Sequence, residues 1–422
     1  MISVIALVKD GGSDAVSAEG AVPVSLTEFA LGPEDVVIPE GGSLAVSNDG
    51  SQMHNLAVAD TDLITADLLG GEADTLDLSS LPAGEYELFC EIAGHKEAGM
   101  SGTLVVGEGG HGGEGDHAMG SDADWEAMDN AMLNSMREFP AETEGKGNVP
   151  LEPTITADGA KRFELTASIV PWEVEPGKFV DAWAYNGMVP GPWIKVDVGD
   201  RVEVHIQNDL PMGTDIHWHG IKTPNEMDGV APITQDLVRS GEDFLYEFTA
   251  EKKAVGMYHA HHHGQMQVPN GMLGVFQIGD VDLPRGRTIS GTEIPADLEI
   301  AQEIPMVLND AGVIGLSLNG KSFPATEPYP VERGDWIRVH YLNGAYRSIP
   351  CTSTNSRSWS LRKTASHSTT RTSPTVNVAP GERYTVLLNP DDPGTWVWHC
   401  HILNHVESDE GMFGMVTALV VS

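Results

Sequence analysis

Two short patterns each occur three times along this 422-residue chain, and they restrict its architecture more than any other feature. The first is a Gly turn followed by an alternating stretch that ends on Asn. Gly199–Asn208 (GDRVEVHIQN) matches Gly334–Asn343 (GDWIRVHYLN), and Gly42–Asn48 is a shorter copy. Such alternation marks a strand with one buried face. The second is a Gly turn, an aromatic-rich strand, a loop and then Gly-Met. Its copies are Gly84–Cys90 with Gly99-Met100, Gly256–His261 with Gly271-Met272, and Gly394–His401 with Gly411-Met412. Self-similarity of this kind means repeated structural units. The expected domains are 1–107, 152–285 and 286–422, joined by a segment at 108–151. With 47 Gly, 26 Pro and many short alternating stretches, the chain reads as all-β.

The connecting segment has two parts. Gly109–Gly120 is Gly/His-rich and reads as a flexible linker, so His111 and His117 receive no role. Trp125, Met128, Met132 and Met136 then recur at helical spacing, with Ser121 and Asp122 as caps and Pro140 as a stop. This stripe is expected to pack rather than to load metal. The 62 acidic and 24 basic residues leave a net charge of −38, which repels a phosphate backbone and argues against nucleic-acid partners. It favours cationic partners or a salty habitat in which an acidic surface stays soluble. No apolar run reaches the roughly 20 residues of a membrane span. Met1–Asp10 is apolar but lacks a basic start, so it makes a poor signal peptide. Cys90, Cys351 and Cys400 are too few and odd in number for a disulfide scaffold.

The histidines and two of the cysteines carry the chemistry. The first domain has His54 and then Cys90, His95 and Met100 on one loop, Cys-x4-His-x4-Met. A thiolate, two imidazoles and a weak axial thioether are the ligands of a blue (type 1) copper centre. The set resembles that of the cupredoxin family, in which the residue after the first His, here Asn55, braces the ligand loop. The middle domain has His217-Trp218-His219-Gly220 and His259-Ala260-His261. Residues i and i+2 of a strand share a face, so two His-x-His pairs on neighbouring strands make a four-imidazole cluster. Ala260 stands where the repeat puts a thiolate and Gln265 where the last domain has His405, so the middle domain lacks a blue centre, although Met272 persists. His262 and His263 are read as outer or surface residues. The last domain has His399-Cys400-His401, His405 and Met412. Here Cys400, His405 and Met412 repeat the blue-copper set, while His399 and His401 face away from the thiolate.

His-Trp-His-Gly, His-x-His and His-Cys-His-x3-His resemble the copper motifs of multicopper oxidases, the laccase family. Residues 152–422 resemble the bacterial two-domain kind, and 1–107 resembles an appended cupredoxin. The resemblance implies three Greek-key β-sandwich domains of cupredoxin type. It implies copper as cofactor: type 1 in the first domain, and type 1, type 2 and a type 3 pair in the oxidase region. His217 is then the type 2 ligand, and His219, His259, His261, His399 and His401 the type 3 ligands. Asp228 resembles the family's proton-delivering carboxylate. A homotrimer is implied, with the trinuclear cluster shared between subunits. Electrons would come from a phenolic, metal-ion or protein donor and pass to O2. A periplasmic or secreted location follows from copper chemistry. Glu407, Asp409 and Glu410 read as a solvated loop. The competing readings are a copper nitrite reductase and a non-enzymatic copper or electron carrier.

One family motif, His-Pro-x-His-x-His, should follow the strand ending at Asn343, and it is absent. Ser348–Ser373 instead holds eight Ser, six Thr, four basic and no acidic residues, where the chain-wide frequency would put about four acids. No strand alternation is visible there, yet family-like sequence resumes at Val376. A pair of compensating frameshifts explains such an island. Codons chosen for Ser348–Ser356 and read from the third base give His-Pro-Met-His-Leu-His-Gln-Phe. Ile349, Thr352 and Thr354 then occupy the lost ligand positions. Cys351 belongs to the island and receives no role.

Overall fold

A computed structural model describes residues 21–107 and 122–422, apart from 28–29, 34, 51, 60, 62, 93–94, 97–99, 290, 354–357, 364–370 and 374. Met1–Asp10, the Gly/His stretch with His111 and His117, Ser121 and Thr354 lie outside the described residues. The chain divides into two compact units, Met1–Met119 and Gly120–Ser422. No helix among the described residues is long and apolar enough to cross a membrane.

The same pair of sheets is built three times, and the two repeated patterns occupy the same place in each. In unit 1 the strand Ser43–Asn48 lies parallel to Val22–Thr27 and antiparallel to Ala73–Asp77. In unit 2 Arg201–Asn208 lies parallel to Lys161–Glu175 and antiparallel to Asp243–Thr249. Ile337–Asn343 lies parallel to Gln302–Ala311 and antiparallel to Arg383–Leu388. The aromatic-rich strands are β1 (Gly84–Phe89), β3 (Ala254–His259) and β5 (Gly394–Cys400), each antiparallel to the strand that follows its loop. β3 also pairs with β2 (His217–His219), and β5 with β4 (Ile349–Ser353). The alternating burial of Ser43–Asn48 shows why these strands form: one face enters an apolar core, the other does not. The three cores centre on Leu44 and Leu88, on Val204 and Trp218, and on Val339 and Trp398. The architecture is the expected all-β, cupredoxin-like β-sandwich.

The Asn that ends each alternating strand is wholly buried and does the same work three times. Asn48 Nδ2 donates to the carbonyls of Gln52 and Leu68, and its Oδ1 accepts the Gly50 N–H. Asn208 does this with Met212, Val238 and Leu210, and Asn343 with Arg347, Val378 and Ala345. Each amide thus makes three hydrogen bonds to the backbone of the loop that follows it and of a neighbouring strand or bridge. It thereby pins the start of the loop that leads to the next strand.

Ser348–Ser373 departs from its sequence reading. Ile349–Ser353, Ser358–Lys363 and Arg371–Ser373 are strands, although no alternation marks them. The ladders explain this: β4 sits between Thr375–Val378 and β5, Ser358–Lys363 pairs with Arg383–Leu388 and Arg371–Ser373 with Ser358–Lys363, and backbone donors and acceptors need partners whatever the side chains are.

The helix α1 (Asp122–Glu138) spans 17 residues and ends just before Pro140. Met128, Ala131, Met132 and Ser135 are half-buried, whereas Trp125 and Met136 are exposed, so only part of the predicted stripe packs. The buried stripe lies on β6 (Gly411–Met412): Ser135 Oγ accepts the Met412 N–H at 2.9 Å. Phe139 stacks on Phe323 with ring centres 5.1 Å apart, which ties the helix end to the last sandwich.

Candidate metal centres

In unit 1 the predicted ligands converge. His54, Cys90 and His95 are buried, with their ligand atoms all within 4.8 Å of one another. His95 Nδ1 lies 3.1 Å from His54 Nδ1 and 3.4 Å from Cys90 Sγ, separations suited to donors sharing one ion. Met100 is wholly buried in the same core. Asn55 Oδ1 accepts the Glu91 N–H at 2.8 Å, which fastens the ligand loop to the strand bearing His54. These residues fit a blue-copper ligand set.

Backbone hydrogen bonds locate the matching positions in unit 2. In unit 1 the Cys90 N–H donates to the Met100 carbonyl, and the Met100 N–H to the His95 carbonyl. In the last sandwich the same pair of bonds runs from Cys400 to Met415 and from Met415 to His405. Met415, fully buried beside Cys400, therefore stands where Met100 does, and the sequence assignment of Met412 is corrected. The loop after His405 carries an extra hairpin, Glu407–Ser408 against Gly411–Met412, so the first Gly-Met comes too early. In the middle sandwich the bonds run from Ala260 to Met272 and from Met272 to Gln267. Gln267, not Gln265, is thus the counterpart of His95 and His405. The first imidazole is matched likewise. His54 bridges Leu68 as Thr214 bridges Val238, each six residues after its buried Asn. The same offset from Asn343 falls on Ile349, which is wholly buried.

The four middle imidazoles meet as the His-x-His pattern predicts. His217 and His259 face each other across β2 and β3, and the rings of His217, His219, His259 and His261 lie 5.4–5.7 Å apart wherever they touch. His217, His219 and His259 bring ligand atoms within 4.8 Å of one another. His217 Nδ1 lies 2.8 Å from the Asp228 carbonyl, and His259 Nδ1 lies 2.9 Å from that of Ala260. An imidazole that donates Nδ1–H to a carbonyl keeps Nε2 free as a ligand. Burial pulls the pKa of His219 down to about 4 and that of His259 to about 3, so both rings are neutral at pH 7. The Asp228 carboxylate lies 3.7 Å from His217 Nδ1; its carbonyl makes the closer contact.

Sequence reasoning missed Asp215. It is wholly buried, and its Oδ1 accepts the N–H groups of His261 (2.6 Å) and His262 (2.8 Å), while Oδ2 accepts that of Ala231 (2.9 Å). Its place after Thr214, as Asn55 follows His54, was the available signal.

In the last sandwich Cys400 Sγ lies 3.8 Å from His405 Nδ1, and both are buried. His399 and His401 stack with ring centres 5.7 Å apart, and His399 Nδ1 lies 2.6 Å from the Cys400 carbonyl. Cys351 pairs with Cys400 across β4 and β5, and Thr352 with His399. Directly opposed residues share a face. Ile349 and Cys351 thus lie on the Cys400 side, and Thr352 on the His399 side. No imidazole stands at Ile349 or Thr352, so this donor set falls short of the blue and trinuclear ligand sets. Among the described residues, no ligand group joins His399 or His401 to the four middle imidazoles.

Two models described as "Multicopper oxidase" match residues 167–282 and 293–419, together more than half of the chain. The chain belongs to the multicopper oxidase family. A sulfocyanin domain model matches residues 30–109, around the unit 1 centre. These families bind copper, which agrees with the His and Cys groups above. Laccase-2 of Cryptococcus neoformans is 27% identical over 49% of this chain and 40% of its own length. The "Probable nitrite reductase-hydroxylamine oxidoreductase fusion protein" of Kuenenia stuttgartiensis is 27% identical over 61% of this chain and 31% of its own length. The chain thus spans less than half the length of these curated relatives. Among solved structures, the blue copper oxidase of Nitrosomonas europaea aligns with a TM-score of 0.55 and 27% identity, covering 62% of this chain and 85% of that one. The multicopper oxidase mgLAC aligns with a TM-score of 0.55 and 26% identity, covering 62% of this chain and 86% of that one.

Proposed function

We propose that this oxidase is laccase-like, works as a homotrimer outside the cytoplasm and carries an appended blue-copper domain. When bound, copper supplies one-electron transfer from a phenolic, metal-ion or protein donor and the four-electron reduction of O2 to water. The observation that carries the reading is the register of β2 on β3, which gathers four imidazoles at one end of a sandwich, with the His217 and His259 rings held through Nδ1 by backbone carbonyls. His399 and His401 flank Cys400, so two peptide links lead from the thiolate to two further imidazoles. Among the described residues, neither of those two joins the middle imidazoles in a ligand group, and Ile233, on the Asp228 loop, is 80% exposed. Completion by the last sandwich of another copy accounts for both. Asp228 would hand protons to reduced oxygen, a role consistent with its carboxylate 3.7 Å and its carbonyl 2.8 Å from His217 Nδ1. The unit 1 centre offers a further place for electrons to enter.

Ser348–Ser373 is read as frame-displaced, with Ile349, Thr352 and Thr354 standing for lost imidazoles. The offset of Ile349 from Asn343, equal to that of His54 from Asn48, supports this. No electron step is assigned to the last sandwich as this chain has it. Copper content, optical and spin-resonance spectra and oxygen uptake should be measured on this chain and on the frame-restored one. This chain should show only the Cys90 centre as blue copper and take up no oxygen. The restored chain should add a second blue centre, a trinuclear cluster and oxygen uptake. A fully loaded, restored chain that consumes no oxygen would refute the oxidase. Nitric oxide made from nitrite would install a nitrite reductase instead, the reading that the Kuenenia relative's name favours. An uninterrupted Ser/Thr-coding frame in the genes of close relatives would refute the displaced segment.

A further inference from the structure

We infer that Thr214, Asp215 and Gln267 form a metal-free brace that sets the spacing of His217 and His261. The inference rests on reading the four middle imidazoles as a metal site. In unit 1 the strand bearing His54 is tied to the ligand loop by the Asn55 Oδ1 bond to the Glu91 N–H, with His54, Cys90 and His95 left to share an ion. The middle sandwich has the same backbone there but none of those ligands. Thr214 stands for His54, Ala260 for Cys90 and Gln267 for His95. Thr214 Oγ1 donates to Gln267 Oε1 at 2.7 Å, and Gln267 Nε2 donates to the carbonyls of Gly213 (3.1 Å) and His262 (2.7 Å). A direct hydrogen bond thus joins the strand and the loop that an ion would otherwise join.

Asp215 extends the brace to two ligands at once. One arm, from Oδ1 to the amides of His261 and His262, fixes the chain as it leaves β3. The other, from Oδ2 to the Ala231 amide, fixes the loop whose Asp228 carbonyl faces His217 Nδ1. His217 itself lies two residues along the chain from Asp215. A carboxylate can serve both arms because both of its oxygens accept. An asparagine serves only one: its NH2 group, turned to the other arm, would face a backbone N–H. Asp215→Asn therefore frees one arm, and Asp215→Ala frees both. This is a positioning role, since Asp215 meets none of the imidazole rings.

The test titrates metal-free full-length protein with Cu(II) against a competing chelator. Binding that survives in His217→Ala/His259→Ala is subtracted. Removing partners that orient metal ligands typically weakens binding 10–100-fold. Asp215→Ala should weaken non-blue Cu(II) binding within that range and alter its spin-resonance spectrum, with Asp215→Asn in between. The blue absorption of the Cys90 centre should not change, which reports that unit 1 is folded and loaded, and unchanged tryptophan fluorescence, all of it from beyond residue 119, reports that unit 2 is folded. Independently of any variant, the His261, His262 and Ala231 amides of the metal-free wild type should exchange slowly with solvent. Wild-type affinity and spectrum in both variants would overturn the inference, as would rapid exchange of those amides. A wild type that takes up no non-blue copper would overturn the metal reading and the inference with it. If Asp215→Ala does not fold, Asp215→Asn and the amide measurement decide.

Discussion

Replacing Asn208 by alanine tests whether the repeated buried asparagines hold the sandwiches together. The side chain is wholly buried and makes three hydrogen bonds, donating at 2.9 Å to both Met212 and Val238 and accepting at 3.0 Å from Leu210. Alanine leaves the Met212 carbonyl and the Leu210 amide without their partner, while the Val238 carbonyl keeps the Thr214 N–H. A buried polar group without a partner costs about 1–3 kcal/mol, and these two groups will partly relax or find water, so the summed loss is about 2–4 kcal/mol. That is a large share of the roughly 5–15 kcal/mol by which a domain is stable. Asn208→Asp should be worse, since it turns a carboxylate oxygen onto two carbonyl oxygens. All nine tryptophans lie beyond residue 119, so urea unfolding followed by their fluorescence reads unit 2 alone. The blue absorption of the Cys90 centre reads unit 1 in the same sample and should not move. A loss below about 1 kcal/mol would refute the assignment of these asparagines as structural clasps.

Three other outcomes are expected. Gly229→Ala should cost about 3 kcal/mol or more and loosen His217, because its φ is +77° and a Cβ there would lie 1.7 Å from the Ile216 carbonyl oxygen; melting and Cu(II) titration would show it. Ile349→His should create a second blue-copper absorption that survives Cys90→Ser; a spectrum that vanishes with Cys90→Ser would show that the offset from Asn343 does not locate a ligand. Lys321 donates to the carbonyls of Glu144 and Glu173, and burial lowers its pKa from 10.5 to about 8. Below about pH 8 the folded and unfolded chains both hold this proton; between about 8 and 10.5 only the unfolded one does. Unit 2 should therefore gain stability over that window, by about 3 kcal/mol relative to Lys321→Met, and parallel pH profiles would refute this.

Most of the fold and the convergence of most of the histidine and cysteine clusters are legible in the sequence, because strands write their burial as alternation and cysteines and paired histidines are rare. What fails is counting across loops. Spacing favours Met412 over Met415 because a hairpin inserted after His405 moves the true counterpart of Met100 along the chain. It favours Gln265 over Gln267 for the same reason: the loop after His261 has its own length, and only the Met272 N–H bond fixes the equivalence. Asp215 leaves only a faint sign, its offset of seven from Asn208 matching that of Asn55 from Asn48, because its partners are backbone amides, which carry no sequence signature. The grip of α1 on Met412 is invisible too, since a Ser in a helix gives no sign of the strand it will meet. The strands within Ser348–Ser373 come from neighbours that demand partners, not from local pattern.

The clasp of Asn343 has a bearing on how such a chain tolerates change. Its amide grips the carbonyls of Arg347 and Val378, which stand immediately before and shortly after the aberrant segment. Both ends of that segment are therefore held by a residue outside it, and what lies between can be exchanged around the core side chains Ile349, Cys351 and Val376. The same clamp defines a replaceable cassette. A library of inserts between Arg347 and Val378 would sample new metal-ligand geometries against fixed His399, Cys400 and His401, with the scaffold's connectivity unchanged.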